Sequence, residues 1–250
     1  MSVAPLAGRV VLVTGGGAGI GRGVVEACRA AGAHVHVGTL ERDAAFDDPE
    51  VSCAWLDVAD PAGIERWVGL ARERYGRIDG LVANAGITVQ GAFLDTVPDD
   101  LDRLWRINQR GVYLCAQAVA GRMVADERPG SIVAIGSNHA RASDAGYEMY
   151  AATKAAVVAM CRAMAWSLGP HGIRVNSLSP GLTATEAVER AAADPADRAR
   201  FERWHATGRY NTVREVGDCA AFLLSDASAS MSGADLLADQ GMSARLVEFP

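Results

Sequence analysis

Short β-rich apolar runs alternate with helix-length segments along the whole chain, and no other feature constrains the fold as strongly. RVVLVT (9–14), AHVHVG (33–38), VSCAWLDV (51–58), GLVANAG (80–86), SIVAIGS (131–137) and GIRVNSLSP (172–180) read as strands. Helical spacing fills 19–32, 60–75, 99–125, 148–169, 186–206 and 214–225. A helix between two strands carries the chain back to the starting edge, so successive strands run parallel and helices cover both faces. The expected fold is α/β: one Rossmann-like, doubly wound parallel sheet over residues 1–250. In such sheets ligands bind beyond the carboxyl ends of the strands, so the chemistry is sought in the loops after them.

Composition narrows the function. A net charge of −6 argues against nucleic acid or an anionic membrane as partner. No apolar run approaches the roughly 18 residues of a membrane span. The start MSVAPLAGRVVLVTG has no basic segment followed by a long apolar one, so no secretory signal is expected. The five cysteines lie far apart without a CxxC pair. Free buried thiols in a cytoplasmic protein are expected, not a disulfide framework or zinc site. His34 and His36 share a strand face and read as plain strand residues, with no metal expected. The polar segment 191–211 breaks the strand–helix rhythm. Together with the preceding helix it reads either as a substrate lid at 186–211 or as a surface helix pair kinked at Pro195.

The first strand runs straight into TGGGAGIGRG (14–23), with Gly15, Gly19 and Gly21 opening a helix. Here the chain must turn sharply, the backbone must approach a ligand without Cβ in the way, and helix N–H groups must face an anion. A dinucleotide pyrophosphate fits those demands. The end of the second strand should read the adenosine ribose. Thr39 stands where an acid would accept from both ribose hydroxyls. Arg42 follows three residues on with Glu41 beside it, so NAD(H) and NADP(H) both remain open. Asp57 is a candidate for the adenine amino group or a turn residue, and Asp60-Pro61 is a helix start in its own right.

Lys154 is the only lysine in the chain; the other 23 of the 24 basic residues are arginine. Tyr150 stands four residues before it, so on a helix the two share a face. A tyrosine with pKa near 10 is a poor acid or base at neutral pH, and a fixed cation beside it favours the phenolate. Lowering that pKa by about 3 units takes roughly 4 kcal/mol. A compact ammonium can act on the phenol while donating to ribose hydroxyls; a planar guanidinium cannot occupy the same point. Ser137 ends a strand on the ligand side, placed to donate to the same substrate oxygen as Tyr150. Asn108 is an amide in a helical stretch, positioned for a water or a backbone carbonyl near the lysine.

These residues carry a resemblance to the short-chain dehydrogenase/reductase family, in its compact single-domain form, over essentially the whole chain. The landmarks are TGGGAGIG (14–21), LDV (56–58), ANAG (83–86), Asn108, Ser137, YAATK (150–154) and PGLTAT (180–185), in family order and spacing. The resemblance implies hydride transfer between a nicotinamide and a carbonyl or secondary alcohol. It makes Tyr150 the general acid/base, Lys154 the group that holds the ribose and lowers the tyrosine pKa, Ser137 the orienter of the substrate oxygen, and Asn108 the holder of a relay water. It also implies cofactor contacts at Gly15, Gly19, Ile20, Gly21, Thr39, Asp57, Val58, Asn84, Ala85, Gly86, Tyr150, Lys154, Pro180, Gly181, Thr183 and Thr185. The chain departs from the family pattern at Ala83, at Thr39, at Ala18 and at DQGM (239–242).

Candidate substrate contacts lie between Ser137 and Tyr150 and in the polar segment: Asn138, His139, Tyr147 and Trp204, with Tyr210 beside them. A small carbonyl or alcohol is the expected partner. Helix 155–168 is apolar or small nearly all round, more than one sheet face needs, and a homo-oligomer on it and the 109–124 helix is expected. The resemblance suggests a dimer or tetramer. Two other functions are weighed: a 3-oxoacyl-carrier-protein reductase using Arg106, Arg110 and Arg141, and a dinucleotide sensor without turnover.

Overall fold

The computed structural model describes residues 4–42 and 44–245. Seven parallel strands form one sheet: β1 (Val10–Thr14), β2 (His34–Thr39), β3 (Val51–Trp55), β4 (Gly80–Ala83), β5 (Gly130–Ile135), β6 (Ile173–Pro180) and β7 (Asp235–Ala238). Their spatial order is β3-β2-β1-β4-β5-β6-β7. The chain therefore winds outward from β1 in one direction and, after β3, returns to build the other half. The crevice between β1 and β4, where the direction reverses, is where a ligand fits.

The strands are runs of valine, leucine and isoleucine because both faces are covered. Every residue of β1 is buried. Below one face, α2 (Pro61–Tyr75), α4 (Val112–Ala125) and α5 (Glu148–Leu168) contribute Trp67, Met123 and Val157 to one core. On the other, α1 (Gly19–Ala30) and α8 (Val213–Leu224) contribute Val24, Cys28 and Leu223. Each fully buried side chain of this size contributes about 1.5–3 kcal/mol. Helices α1 and α8 touch backbone to backbone: a Cβ on Gly23 would lie 2.3 Å from the Val213 carbonyl oxygen, and one on Gly217 2.3 Å from that of Gly23.

Two elements differ from the sequence expectation, and a third takes one of the two forms it allowed. The 99–125 stretch comprises α3 (Pro98–Leu104), a π-helical segment (Trp105–Gly111) and α4 in unbroken succession. The 186–206 stretch is a pair, α6 (Glu186–Ala191) and α7 (Pro195–Arg203), broken where Asp194 caps the second helix and Pro195 opens it. Strand β7 was not anticipated, because four half-buried residues at a sheet edge carry little periodicity.

Candidate active site

A cavity of about 440 Å³ opens at the carboxyl ends of β1, β4, β5 and β6. Gly15, Gly19, Ile20 and Gly21 form one wall, Asn84, Ala85 and Gly86 the next, and Ser137, Tyr150, Lys154, Pro180, Gly181 and Thr185 the far side. Gly15 and Gly19 have φ of +65° and +53°, which a side chain would strain. A Cβ on Gly21 would lie 2.0 Å from the Gly15 carbonyl oxygen, so the turn closes only on glycine. Asn84 locks it to the sheet, its Nδ2 donating to the carbonyls of Thr14 (3.0 Å) and Gly15 (3.1 Å). Helix α1 starts at Gly19 with no side chain capping it. Its first N–H groups are thus free for an anion, and the cradle fits a dinucleotide pyrophosphate.

On the far side, the π-helical turn widens the helix and brings Asn108 inward to full burial. Its amide closes a two-way bridge with Ile87, accepting from the backbone N–H and donating to the carbonyl, each at 2.8 Å. It also donates to Thr153 Oγ1 at 3.2 Å. The amide lies close to the lysine: a Cβ on Gly86 would lie 3.2 Å from Asn108 Oδ1 and 3.5 Å from Lys154 Nζ.

Lys154 Nζ is buried, donates to the Ile135 carbonyl at 2.9 Å, and lies 5.8 Å from the centre of the Tyr150 ring. Burial drives its pKa down to about 8. Burial also pushes the Tyr150 phenol up, and hydrogen bonds from Ser137 and Thr88 pull the other way. Desolvation outweighs those bonds, because a phenolate stripped of water is costlier than the phenol.

Thr39, Asp57 and Val58 lie beyond the wall of this cavity. Thr39 Oγ1 accepts from the Glu41 backbone N–H, Asp57 Oδ1 holds a turn through Ala59, and Val58 packs against Gly111. Thr183 donates its hydroxyl to the Gly181 carbonyl at 2.9 Å and is buried off the wall. Asn138 is spent on structure: it accepts from Ser137 and donates to Met242 Sδ at 3.4 Å. Trp204 lines a different cavity. Tyr210 is buried between Arg198 and Glu189 and braces the α6–α7 pair. His34 and His36 bond Glu50 and Ser52. His139 and Tyr147 do gather at the tyrosine, their rings 5.6 and 6.4 Å from that of Tyr150.

Two residues escaped the sequence reading. Thr88 shares the Tyr150 phenol with Ser137. Glu41 lies over the glycine turn: a Cβ on Gly17 would sit 2.2 Å from its Oε2 and 2.8 Å from Thr39 Oγ1. Glu41 is two residues beyond the strand, and only the loop's path brings it back.

A sequence model of the family described as Enoyl-(Acyl carrier protein) reductase matches residues 15–243. L-rhamnose 1-dehydrogenase (NAD(P)(+)) of Sphingomonas sp. (strain SKA58) is 36% identical over 250 residues, covering 95% of this chain and 97% of that protein. The chain is a short-chain dehydrogenase/reductase. Human L-xylulose reductase is another relative, 34% identical over 241 residues, covering 94% of this chain and 97% of that protein. Among solved structures, a gluconate 5-dehydrogenase from Burkholderia cenocepacia J2315 in complex with NADP and tartrate superposes with a TM-score of 0.90. It is 32% identical and covers 98% of each chain. As a short-chain dehydrogenase/reductase this protein is an NAD(P)-dependent oxidoreductase that works between carbonyl and alcohol.

Proposed function

We propose that this short-chain dehydrogenase/reductase interconverts the carbonyl and secondary alcohol of a small hydroxylated substrate, a sugar or sugar-derived compound, with Tyr150 as general acid/base. The observation that carries the reading is the convergence of Ser137, Thr88, Tyr150 and buried Lys154 on one cavity beside the glycine cradle. The relatives' names support the substrate class, and the polar cluster of His139, Tyr147 and Ser143 at the tyrosine suits a hydroxylated ligand over a bare hydrocarbon.

The bound nicotinamide supplies or accepts the hydride. The chain's residues do the rest. The Ser137 hydroxyl orients the substrate oxygen. Tyr150 gives that oxygen a proton in reduction and removes it in oxidation. Burial pushes its pKa up, which favours the protonated phenol, the form that serves as the donor. Lys154 holds a proton up to about pH 8, and it stands where it can donate to a ribose hydroxyl. Asn108 fixes Ile87, one residue from Thr88, and so sets the wall that faces the phenol.

Cofactor preference is for NAD(H). The Glu41 carboxylate on the glycine turn takes the place expected of an acid at Thr39, and it would repel a 2′-phosphate there. Five free cysteines, three of them buried, support a reducing, cytoplasmic setting. A second copy of the chain, in a dimer or tetramer, covers the α4–α5 face. A groove of about 510 Å³ lined by Tyr113, Val124, Met160, Met164 and Leu168 lies there, with Trp166 87% exposed on α5. The test of the catalytic reading is Tyr150→Phe assayed on a panel of aldoses, ketoses and polyols. Turnover should fall by about 10²–10⁴-fold while NADH binding persists; an unchanged rate on the best substrate removes Tyr150 from its role.

A further inference from the structure

Asp235 is the first residue of β7, and its side chain is only 3% exposed. A carboxylate taken out of water is costly unless it is both paired and hydrogen-bonded. Both conditions are met. Oδ1 accepts from the hydroxyls of Ser177 at 2.9 Å and Ser179 at 2.6 Å. Oδ2 accepts from Arg141, whose Nε lies at 3.1 Å and Nη2 at 3.0 Å. None of these four residues lines the cavity that holds Tyr150.

The carboxylate joins three segments. Ser177 and Ser179 alternate along β6, so both fall on one face of the strand, and Ser177 is the register partner of Asp235. Both serines are fully buried. The Ser179 hydroxyl abuts the backbone just before the catalytic serine: a Cβ on Gly136 would lie 2.5 Å from its Oγ. Arg141 comes from the loop that Ser137 opens. Ser137 caps the short helical turn Asn138–Ala140, its Oγ accepting from the His139 N–H at 3.2 Å. The Ser137 carbonyl accepts from the Ala140 N–H at 3.0 Å, and the Asn138 carbonyl from the Arg141 N–H at 2.9 Å. An unbroken set of hydrogen bonds therefore runs from the Ser137 hydroxyl to the Arg141 backbone. The carboxylate grips that turn from both sides, through Ser179 against Gly136 and through the Arg141 guanidinium.

A buried ion pair is weak grounds for stability, since well-packed apolar groups in its place are often as stable. What the pair adds is direction, because charge-assisted hydrogen bonds fix both distance and angle. Here they direct the turn that carries a hydroxyl to the substrate oxygen. In such a site a misplacement of about 1 Å can cost about 10²-fold in rate.

On the reading that Ser137 orients the substrate oxygen, we propose that Asp235 and Arg141 are positioning residues for the reaction. Their ion pair pins the 137–141 turn to β6 and β7 and so aims the Ser137 hydroxyl. Neither residue touches the substrate; both act through Ser137.

The test is a mutant cycle on the whole protein, with turnover read on the fastest substrate of the aldose, ketose and polyol panel. Arg141→Ala and Asp235→Asn should each lower kcat at least about ten-fold, with NADH affinity within about two-fold of wild type. Arg141→Lys should recover part of the loss. In a Ser137→Ala background, Arg141→Ala should change kcat by less than about two-fold, because residues that act as a unit are not additive. Arg141→Ala alone strands a buried carboxylate. The double variant Arg141→Ala/Asp235→Asn removes it, so its melting temperature should return toward wild type while kcat stays low. That split separates positioning from stability. Without any substrate, hydrogen exchange over 138–142 should quicken in Asp235→Asn while that of β5 does not. Near-wild-type kcat in Arg141→Ala, its full effect persisting in the Ser137→Ala background, or unchanged exchange over 138–142 overturns the proposal. Wild-type turnover in Ser137→Ala alone overturns the role of Ser137 itself, and with it the need to aim that hydroxyl.

Discussion

At the scale of the residue, Lys154 shows stability and function in opposition. Its folded pKa of about 8 lies below the 10.5 of an ordinary lysine. Between those values the unfolded chain holds a proton the folded chain has released, so stability rises with pH through that window. Held charged at pH 7, the buried ammonium costs about 3 kcal/mol. Lys154→Met should therefore raise the melting temperature at pH 7. The net gain is about 1–2 kcal/mol after the lost bond to Ile135. It should fade by pH 10, and turnover should be lost. Thermal melts at pH 7, 8.5 and 10 read this directly; a destabilised variant at pH 7 would contradict the burial argument. Lys154→Arg should also lose turnover, because a planar guanidinium cannot occupy the point where the ammonium meets the Ile135 carbonyl. Glu41 is the other decisive residue. Glu41→Ala should shift the NADH-to-NADPH affinity ratio toward NADPH by at least about ten-fold, or ~1.4 kcal/mol. Paired fluorescence titrations measure it, and an unchanged ratio means that Glu41 does not read the ribose.

At the scale of the element, caps and turns set where the α6–α7 pair hands the chain back to the core. Thr212 caps α8, its Oγ1 accepting from the Glu215 N–H at 3.2 Å while Glu215 accepts from the Thr212 N–H at 2.9 Å. Arg209 pairs with Glu215 and, with the cap, pulls its pKa down to about 2. A depressed carboxylate stabilises above its unfolded pKa, near 4.5, and that contribution is lost as pH falls toward 2. The pair is largely solvated, so its worth is small. Denaturant melts should show Thr212→Ala costing about 1 kcal/mol at pH 7 through the lost cap. Glu215→Gln should be destabilising at pH 7 and near neutral at pH 2. A pH-independent Glu215→Gln effect would mean that the charge plays no part in the cap.

At the scale of the whole molecule, α4 and α5 present an apolar groove and an exposed Trp166 that the described residues leave uncovered. Met164→Glu in that groove should shift sedimentation toward the monomer and remove the concentration dependence of the melting temperature. Wild-type protein that sediments as a monomer at micromolar concentration would remove the need for a second copy.

The order of strands and helices, the glycine turn and the Ser137–Tyr150–Lys154 set were legible in the sequence, because each depends on spacing within a few residues. Tyr150 and Lys154 share a helix face whatever surrounds them, and Gly15 to Gly21 can only be a tight turn into a helix. Strand β7 and the π-helical turn were not legible. Only the β6 partner makes a strand of Asp235–Ala238, and the inward rotation of Asn108 is fixed by Ile87, 21 residues away. The same holds for Thr88 at the phenol and Glu41 on the turn. The raised tyrosine and lowered lysine belong there too, since desolvation depends on what packs over a group, not on what precedes it in the chain. Local geometry is written in nearest neighbours. Burial, and with it the protonation of the site, exists only once distant segments close around it.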